Sequence, residues 1–348
     1  MDVLGRSFFL LSGENPRLSA AELQQVLNIL NNTSSVELIN SRIASADVPQ
    51  RLHGEIIERA ALTKMAGLII AAGSVERLKK DEIELAPGWE NLVPEDVKGF
   101  GVDVVKISGA SVNSLEVEKR FAEHILSCLP RLKVSLEKPD IVFMLLISPT
   151  TYVAGILGAT KPKHFFQPRR AGRKPFRIPS ALQPKLARCL VNLAVSSRDS
   201  RVLDPFAGSG AILVEAGLMG HEAVGLELKT WISNGMALNI RPFCPSVCHI
   251  VQGDAKRPPF TSAFDAIATD PPYGRSATLG GHALKGLLKK FFEAVSGAAR
   301  GKARIAMIVP REEYENLLEA AVEFKPLQHH DVYVHKSLTR RVVVLGLE

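Results

Sequence analysis

The segment Asp270-Pro271-Pro272-Tyr273 carries the most specific chemistry in this 348-residue chain. Each proline fixes its own φ and lacks an N–H, so the segment offers carbonyl oxygens to a ligand instead of donors. A carboxylate together with a proline carbonyl can accept both hydrogens of an amino group. The ring of Tyr273 can stack on the heterocycle that bears this group. The segment therefore predicts a site for an exocyclic amine on a planar base.

A glycine turn and two acidic residues are typical of a site for a nucleoside-containing cofactor. The segment Gly208-Ser209-Gly210 lies between a short apolar strand and a helical stretch. Leu213 stands where a dinucleotide fingerprint needs a third glycine, which disfavours a nicotinamide cofactor. Glu227, about 20 residues downstream, is placed to accept hydrogen bonds from ribose hydroxyls. Asp254 is placed to hold an adenine amine. The alternatives are a solvated strand-end carboxylate for Glu227 and a loop cap for Asp254.

These residues occupy corresponding points of a repeating strand–helix pattern. Such a pattern predicts a doubly wound parallel sheet that binds its ligand outside the carboxyl ends of the strands. The predicted strands are Arg201–Asp204, Glu222–Glu227, Cys248–Val251, Ala266–Asp270 and Arg304–Val309. The predicted helices are Ala211–Met219, Thr230–Asn239, Leu284–Ala299 and Glu312–Ala321. Asp331–His335 and Arg341–Leu347 predict a closing hairpin.

The N-terminal half reads as a mixed α/β module without a phosphate loop or a titratable cluster, which favours a binding or scaffolding role. The predicted strands are Ser7–Ser12, Val36–Val48 (a strand or hairpin), Gly101–Ile107, Ile141–Ile147 and Thr151–Leu157. The predicted helices are Pro16–Leu30, Glu55–Ala72 and Ser114–Leu129.

The net charge of +7 is matched by one connecting segment. Residues 161–177 contain 7 basic and no acidic side chains, with prolines and no hydrophobic periodicity. One interpretation is a solvated linker. The other is a strap that contacts phosphates, with Phe165 and Phe166 available to stack on a base or to pack on a domain.

Composition excludes several classes of protein. Hydrophobic residues make up 46% of the chain, which excludes a disordered or fibrous protein. The longest apolar runs are shorter than the roughly 20 residues of a membrane helix, and Asp2 stands where a secretory signal needs basic residues. Four cysteines fit a reducing cytoplasm. Cys244, Cys248 and His249 lack a second ligand cluster for zinc, so we expect no metal and either free thiols or a local disulfide.

Together the motifs resemble class I S-adenosylmethionine-dependent methyltransferases that methylate amino groups. Phe176–Ser180 and Leu182–Arg188 resemble the extra motif that packs against the methionine end of the cofactor in that group. The N-terminal half resembles a THUMP domain with its preceding ferredoxin-like module. With His335–Arg340 included, essentially the whole chain is similar to the archaeal tRNA (guanine-10-N2)-methyltransferases. Asp270, where DNA amino-methylases commonly have Asn, suits a guanine-type target.

The resemblance implies an α/β chain with four parts. These are a ferredoxin-like subdomain (1–50), a THUMP RNA-binding domain (51–157), a basic linker (158–177) and a Rossmann-like methyltransferase domain (178–348). It also implies a cytoplasmic enzyme that methylates N2 of a guanosine in tRNA, with guanosine-10 the first choice. The product is N2-methylguanosine, with the second methylation left open. We expect a monomer that binds no membrane, and the need for a small activator subunit is left open.

The implied site residues fall into three sets. The catalytic set is Asp270, Pro271, Pro272 and Tyr273. The S-adenosylmethionine set is Pro179, Ser180, Asp204, Phe206, Ala207, Gly208, Ser209, Gly210, Glu227, Leu228, Asp254, Ala255 and Asp270. The tRNA set is Lys161, Lys163, Arg169, Arg170, Arg173, Lys174 and Arg275. The alternatives are a THUMP-type enzyme acting elsewhere in tRNA or rRNA, a DNA adenine-N6 or cytosine-N4 methylase, and a tRNA-binding protein whose methylase domain is inactive or partner-dependent.

Overall fold

The computed structural model describes residues 6–107, 109–273, 281–335 and 338–347, with the backbone alone for 281–283 and 335. The chain forms two structural units. The first comprises Met1–Ala20, Thr33–Glu58 and Thr63–Lys161. The second comprises Ala21–Asn32, Arg59–Leu62 and Pro162–Glu348.

The N-terminal half contains an eight-stranded sheet flanked by helices. Its strands are β1 (Ser7–Leu11), β2 (Glu37–Leu38), β3 (Ile43–Ala46), β4 (Thr63–Ser74), β5 (Gly99–Lys106), β6 (Lys133–Val134), β7 (Ile141–Ile147) and β8 (Thr151–Thr160). Its helices are α1 (Pro16–Ile29), α2 (His53–Arg59), α3 (Val75–Lys79) and α4 (Ser114–Cys128). The strand order is β2-β3-β1-β4-β8-β7-β5-β6. Ser7 of β1 lies opposite Leu68 of β4, so strands from both sides of residue 50 share this sheet.

The predicted helix Glu55–Ala72 is wrong. Helix α2 ends at Arg59, and β4 begins at Thr63 in the interior of the sheet, between β1 and β8. A continuous apolar run covered on both faces cannot be assigned to helix or strand by periodicity alone. Gly67 shows the strand packing directly, because a Cβ there would lie 2.2 Å from the carbonyl oxygen of Ile156.

The second unit contains a seven-stranded sheet that carries the predicted site. Its strands are β9 (Val202–Asp204), β10 (Ala223–Glu227), β11 (Cys248–Gln252), β12 (Phe264–Thr269), β13 (Ala299–Pro310), β14 (Phe324–His335) and β15 (Leu338–Leu347). Its helices are α5 (Pro184–Ala194), α6 (Ala211–Leu218), α7 (Thr230–Ile240), α8 (Gly281–Ala298) and α9 (Tyr314–Ala320). The order is β11-β10-β9-β12-β13-β15-β14, with β15 antiparallel to both neighbours.

The doubly wound sheet predicted for this half is confirmed. All five predicted parallel strands and the closing hairpin are present, although β13 begins at Ala299, earlier than predicted. The sheet reverses its direction of winding between β9 and β12, which pair in parallel. In such sheets a ligand binds outside the carboxyl ends of the strands at this switch point. Asp204 ends β9 and Asp270 directly follows β12, so both lie at that edge.

Candidate functional site

Asp204, the last residue of β9, is buried and links β9 to the neighbouring strand β12 by a hydrogen bond. Its Oδ1 accepts hydrogen bonds from Thr269 Oγ1 at 2.8 Å and from the N–H of Phe206 at 3.2 Å. Burial raises the pKa of Asp204 to about 7, and these two hydrogen bonds act in the opposite direction. Asp204 therefore joins the end of β12 to the start of the glycine turn.

The glycine turn is held by the acidic end of β10. Gly208 and Gly210 have φ of +49° and +80°, in the left-handed region that favours glycine. The N–H of Gly208 donates to Oε2 of Glu227 at 3.1 Å, and the N–H of Lys229 donates to Oε1 at 2.9 Å. Each carboxylate oxygen has a further lone pair. Glu227 therefore contacts the glycine turn, and both of its carboxylate oxygens can still accept a further hydrogen bond.

Asn239 is a positioning residue that the sequence analysis missed. Its side chain is fully buried and donates through Nδ2 to the carbonyls of Ser209 and Phe176, both at 3.0 Å. Its Oδ1 accepts the N–H of Phe176 at 3.0 Å. Asn239 therefore fastens the segment before Pro179 to the glycine turn. The only signal in the sequence is a glycine four residues earlier, Gly235, whose missing Cβ makes room for the Phe176 ring.

The other predicted cofactor residues differ in exposure. Ala207 and Ala255 are buried, Phe206 is half-buried and packs on Phe291, and Pro179, Ser180 and Leu228 are exposed.

Asp254 makes the contacts of a loop cap. Its Oδ1 accepts the N–H of Lys256 at 2.9 Å, and its Oδ2 lies 3.3 Å from Lys256 Nζ. This is the alternative that the sequence left open. Asp254 also lines an open cavity of about 660 Å³ together with Arg257, Lys290 and Glu293.

Asp270 is largely buried, and one of its oxygens lacks a hydrogen-bond partner in the part of the chain that the structure describes. Its side chain is 14% exposed, and Oδ2 lies 3.8 Å from Nη1 of Arg340. Among the described residues, Oδ1 has no hydrogen-bond partner. Burial raises the pKa of Asp270 to about 6, while the charge of Arg340 and the neighbouring Tyr273 hydroxyl lower it. The carboxylate is therefore ionised at neutral pH and more basic than an exposed aspartate.

The side chain of Tyr273 lies beside the Asp270 carboxylate. Its ring packs against the core of the second unit, and the guanidinium of Arg340 lies 5.5 Å from the ring centroid. Within the described part of the chain its hydroxyl has no hydrogen-bond partner. Burial, and next the charge of Asp270, raise the pKa of Tyr273. Pro271 is buried and Pro272 is exposed.

Two residues predicted to contact tRNA are instead buried. Arg169 donates from Nε to Oε1 of Glu215 at 2.6 Å, and its guanidinium lies over the rings of Phe165 and Phe166. Lys174 is also buried, which lowers its pKa. These placements correct the prediction for both residues, because a buried cation cannot neutralise a phosphate on a partner.

The remaining predicted tRNA contacts are more accessible. Lys163, Arg170 and Arg173 are exposed. Lys161 is half-buried and donates from Nζ to the carbonyl of Ile57. Arg275 lies outside the described residues.

The structure adds three observations away from this site. All four cysteines are free thiols, with Sγ of Cys248 donating to Sγ of Cys244 at 2.8 Å. In the described ranges no group of three or more His, Cys, Asp or Glu side chains could hold a metal ion. No helix in those ranges combines the length and apolar character needed to span a membrane.

Comparison with known proteins gives consistent matches. Residues 171–341 match the RMKL-like methyltransferase domain. The tRNA (guanine(10)-N2)-dimethyltransferase of Methanothermobacter thermautotrophicus is 30% identical, covering 97% of this chain and 98% of the relative. The protein of the same name from Methanocaldococcus jannaschii is 27% identical, also covering 97% of this chain and 98% of the relative.

Solved structures show the same fold. TrmN from Thermus thermophilus aligns with a TM-score of 0.58 at 21% identity, covering 99% of this chain and 100% of that one. Together with the matched methyltransferase domain, this confirms the class I methyltransferase fold predicted for the second unit, while the ferredoxin-like and THUMP modules stay predictions.

Proposed function

Because the chain belongs to the family of the tRNA (guanine(10)-N2)-dimethyltransferases, we propose that it methylates N2 of guanosine-10 in tRNA, with S-adenosyl-L-methionine as methyl donor. The observation that carries this proposal is the Asp270 carboxylate beside Pro271 and Tyr273 at the switch point of the sheet, whose Oδ1 has no hydrogen-bond partner among the described residues. Such a carboxylate fits a ligand that brings hydrogen-bond donors, as the amine of the proposed substrate does.

The residues at the strand ends fit the proposed cofactor. The left-handed glycines at 208 and 210 let backbone approach a ligand closely, and Glu227 retains acceptor capacity for two ribose hydroxyls. Bound there, S-adenosylmethionine would supply a methyl group activated by a positively charged sulfur. Asp204 lies beneath the turn, so we assign it a role in shaping the site and no direct contact with the cofactor.

Asp270 and Pro271 compensate for the weak nucleophilicity of the target amine. The lone pair of guanine N2 is delocalised into the ring and is a weak nucleophile. Positive charge would develop on N2 as it bonds to the methyl carbon and the bond from that carbon to sulfur breaks, with a neutral thioether as the leaving group. The Asp270 carboxylate and the Pro271 carbonyl accept the N2 hydrogens and stabilise that charge. Asp270 then takes the released proton, because its raised pKa makes it a competent base.

Tyr273 holds the base in position. A base in a tRNA helix must leave its stack to reach a protein site, as other base-modifying enzymes require. The half-buried ring of Tyr273 offers a face on which the extruded guanine stacks. We infer that N2-methylguanosine and N2,N2-dimethylguanosine are formed in turn, since one N2 hydrogen remains after the first transfer. This activity agrees with the cytoplasmic location expected from the sequence.

Nucleoside analysis of methylated tRNA tests this proposal. The purified single chain is incubated with S-adenosylmethionine and an unmodified tRNA transcript, and the methylated nucleosides are mapped. We expect both N2-methylated guanosines at position 10. The matched control is the same transcript with inosine at position 10, which lacks the 2-amino group and must receive no methyl there. Methylation at another guanosine would change the assigned position. Methylation of duplex DNA alone, or no transfer by the single chain, would overturn the proposal.

A further inference from the structure

We propose that Arg340 is a specificity-determining residue that donates hydrogen bonds to O6 of the target guanine. This inference rests on the proposed function and deepens it. The sequence placed Arg340 in a family-like segment without giving it a role. The structure places it at the start of β15, opposite Pro310 of β13 and Val332 of β14.

Arg340 shares one site with the two side chains proposed to hold the base. Its Nη1 lies 3.8 Å from Oδ2 of Asp270, and its guanidinium carbon lies 5.5 Å from the centre of the Tyr273 ring. Its own side chain is 23% exposed. A base that stacks on Tyr273 with its amine on Asp270 therefore meets Arg340 as well.

The donors of Arg340 are not used up within the described structure. A nitrogen–oxygen separation of 3.8 Å exceeds a hydrogen bond, so the pair with Asp270 is an ion pair only. Among the described residues the buried Nε of Arg340 has no hydrogen-bond partner, and neither do Oδ1 of Asp270 and the hydroxyl of Tyr273. The Tyr273 hydroxyl lies close enough to Asp270 to lower the pKa of that carboxyl. A carboxylate and a guanidinium with unused hydrogen-bonding capacity therefore meet beside this hydroxyl, and a polar ligand can use that capacity.

The array matches the edge of guanine in both position and polarity. The Watson–Crick edge of guanine presents donors at N2 and N1 and then an acceptor at O6. Asp270 supplies acceptors, and Arg340 beside it supplies donors, which is the complementary order. Adenine presents an acceptor at N1 and a donor at its 6-amino group, so it would face Asp270 and Arg340 with the wrong polarity.

The neighbouring arginine shows what a satisfied guanidinium looks like on the same strand. Arg341 donates from Nε to Asp331 at 2.6 Å and lies 4.6 Å from the ring centre of Tyr314. These contacts join β15 to β14 through Asp331 and to α9 through Tyr314. Arg341 is therefore the matched control for Arg340.

A different role for Arg340 predicts a different result. If Arg340 only held the Asp270 charge and the Tyr273 ring in place, its loss would slow methylation of every base with a 2-amino group by the same factor. If it donates to O6, its loss would slow guanine selectively. The comparison of two bases therefore separates recognition from general support.

The experiment measures kcat/KM for methylation of the 2-amino group in two transcripts. One has guanine at the target position, and the other has 2,6-diaminopurine, which keeps the 2-amino group, replaces O6 by a donor and replaces the N1–H by an acceptor. We expect the wild type to favour guanine by at least about 10- to 100-fold, the discrimination of one good base contact. Arg340→Met should lower this ratio by about tenfold or more, mainly by losing rate on guanine, while the preference that Asp270 imposes at N1 remains. Arg340→Lys should give an intermediate ratio. Arg341→Met should leave the ratio at the wild-type value.

Two outcomes would overturn the inference. One is a wild type that methylates both bases equally well, which needs no variant and so holds even if Arg340→Met fails to fold. The other is an Arg340→Met ratio equal to that of the wild type. Failure of the proposed function itself looks different, because the wild type would then not methylate the guanine transcript at all.

Discussion

Two buried carboxylates in the second unit have opposite surroundings. Glu215 is fully buried and accepts a hydrogen bond on each oxygen, from Arg169 at 2.6 Å and from Arg188 at 2.7 Å. Asp270 has one arginine at 3.8 Å and an oxygen with no partner in the described part of the chain. The described residues thus give Glu215 a partner on each oxygen and leave one oxygen of Asp270 without one.

The different surroundings of Glu215 and Asp270 indicate that the first carboxylate stabilises the fold and that the second is available for function. A buried charge needs partners for the folded state to be stable, and Glu215 obtains both of them from its own chain. We propose that the substrate supplies the partner that Oδ1 of Asp270 lacks among the described residues, at a local cost in free energy that the rest of the fold offsets. The same reasoning explains why Arg169 is a structural residue even though it lies in the basic linker.

The largest expected effect is on stability at Glu215. Glu215→Gln would leave Arg169 and Arg188 buried without full compensation, so the free energy of unfolding should fall by about 3–5 kcal/mol. Chemical denaturation measures this. Glu222→Gln is the control, since Glu222 is exposed in its pair with Arg201 and should cost under about 1 kcal/mol. Equal losses in the two variants would contradict the contrast between a saturated buried site and the surface.

The next effect is the pH dependence of methyl transfer. Burial raises the pKa of Asp270 to about 6, and only its ionised form can stabilise the positive charge on N2 and take the released proton. Single-turnover rates at saturating substrates should therefore be constant above pH 7 and fall about tenfold per pH unit well below pH 6. Asp204 has a raised pKa too, so the control is Asp204→Asn, which should keep the same inflection. If the inflection disappears in Asp204→Asn, the titrating group is Asp204 and not Asp270, and the prediction is contradicted.

The same shifts have a consequence for stability. A carboxyl group whose folded pKa lies above its unfolded value contributes stability at low pH that is lost as pH rises through the folded pKa. For Asp204 the window runs from about pH 4 to about pH 7. Asp204→Asn should flatten the decline of unfolding free energy across this window. A decline as steep as that of the wild type would show that another group causes it.

The smallest expected effect concerns the exposed cations of the linker. Replacing Lys163, Arg170 and Arg173 by Gln should weaken tRNA binding and lower the slope of log affinity against log salt by about one for each phosphate that is no longer neutralised. Arg169→Gln, by contrast, should lower stability through Glu215. An unchanged salt slope in the triple variant would return the linker to the role of a spacer.

The sequence predicted the site where short-range patterns determine geometry. Parallel strands end at one edge of a sheet, so Asp204, Glu227 and Asp270 could be placed together before the fold was known. Sequence patterns could not show that Asp204 lies beneath the glycine turn with its oxygen already occupied, because that follows from side-chain packing. They also could not assign β4, an interior strand as apolar as a buried helix.

The other site and linker features could not be predicted because they depend on partners that are distant in sequence. Arg169 pairs with Glu215, 46 positions away, so nothing in the basic segment itself indicates that this arginine is buried. Asn239 and Arg340 make contacts 30 or more positions away. No local motif marks Asn239, and the segment His335–Arg340 includes Arg340 without indicating which residues it meets. Charge composition described the linker correctly as basic, but the exposure of each cation depends on tertiary structure.

The most direct test of this account is the single-turnover methylation rate of Asp270→Asn, measured with saturating tRNA and S-adenosylmethionine. The variant keeps the size of the side chain and removes its charge and its capacity to take a proton. We predict a fall of about 100- to 1,000-fold, the scale of losing one electrostatic contact in a transition state, with unchanged cofactor binding and an unfolding free energy at least as high as that of the wild type. A rate within a few-fold of the wild type would contradict the central claim that the unsatisfied carboxylate performs the chemistry.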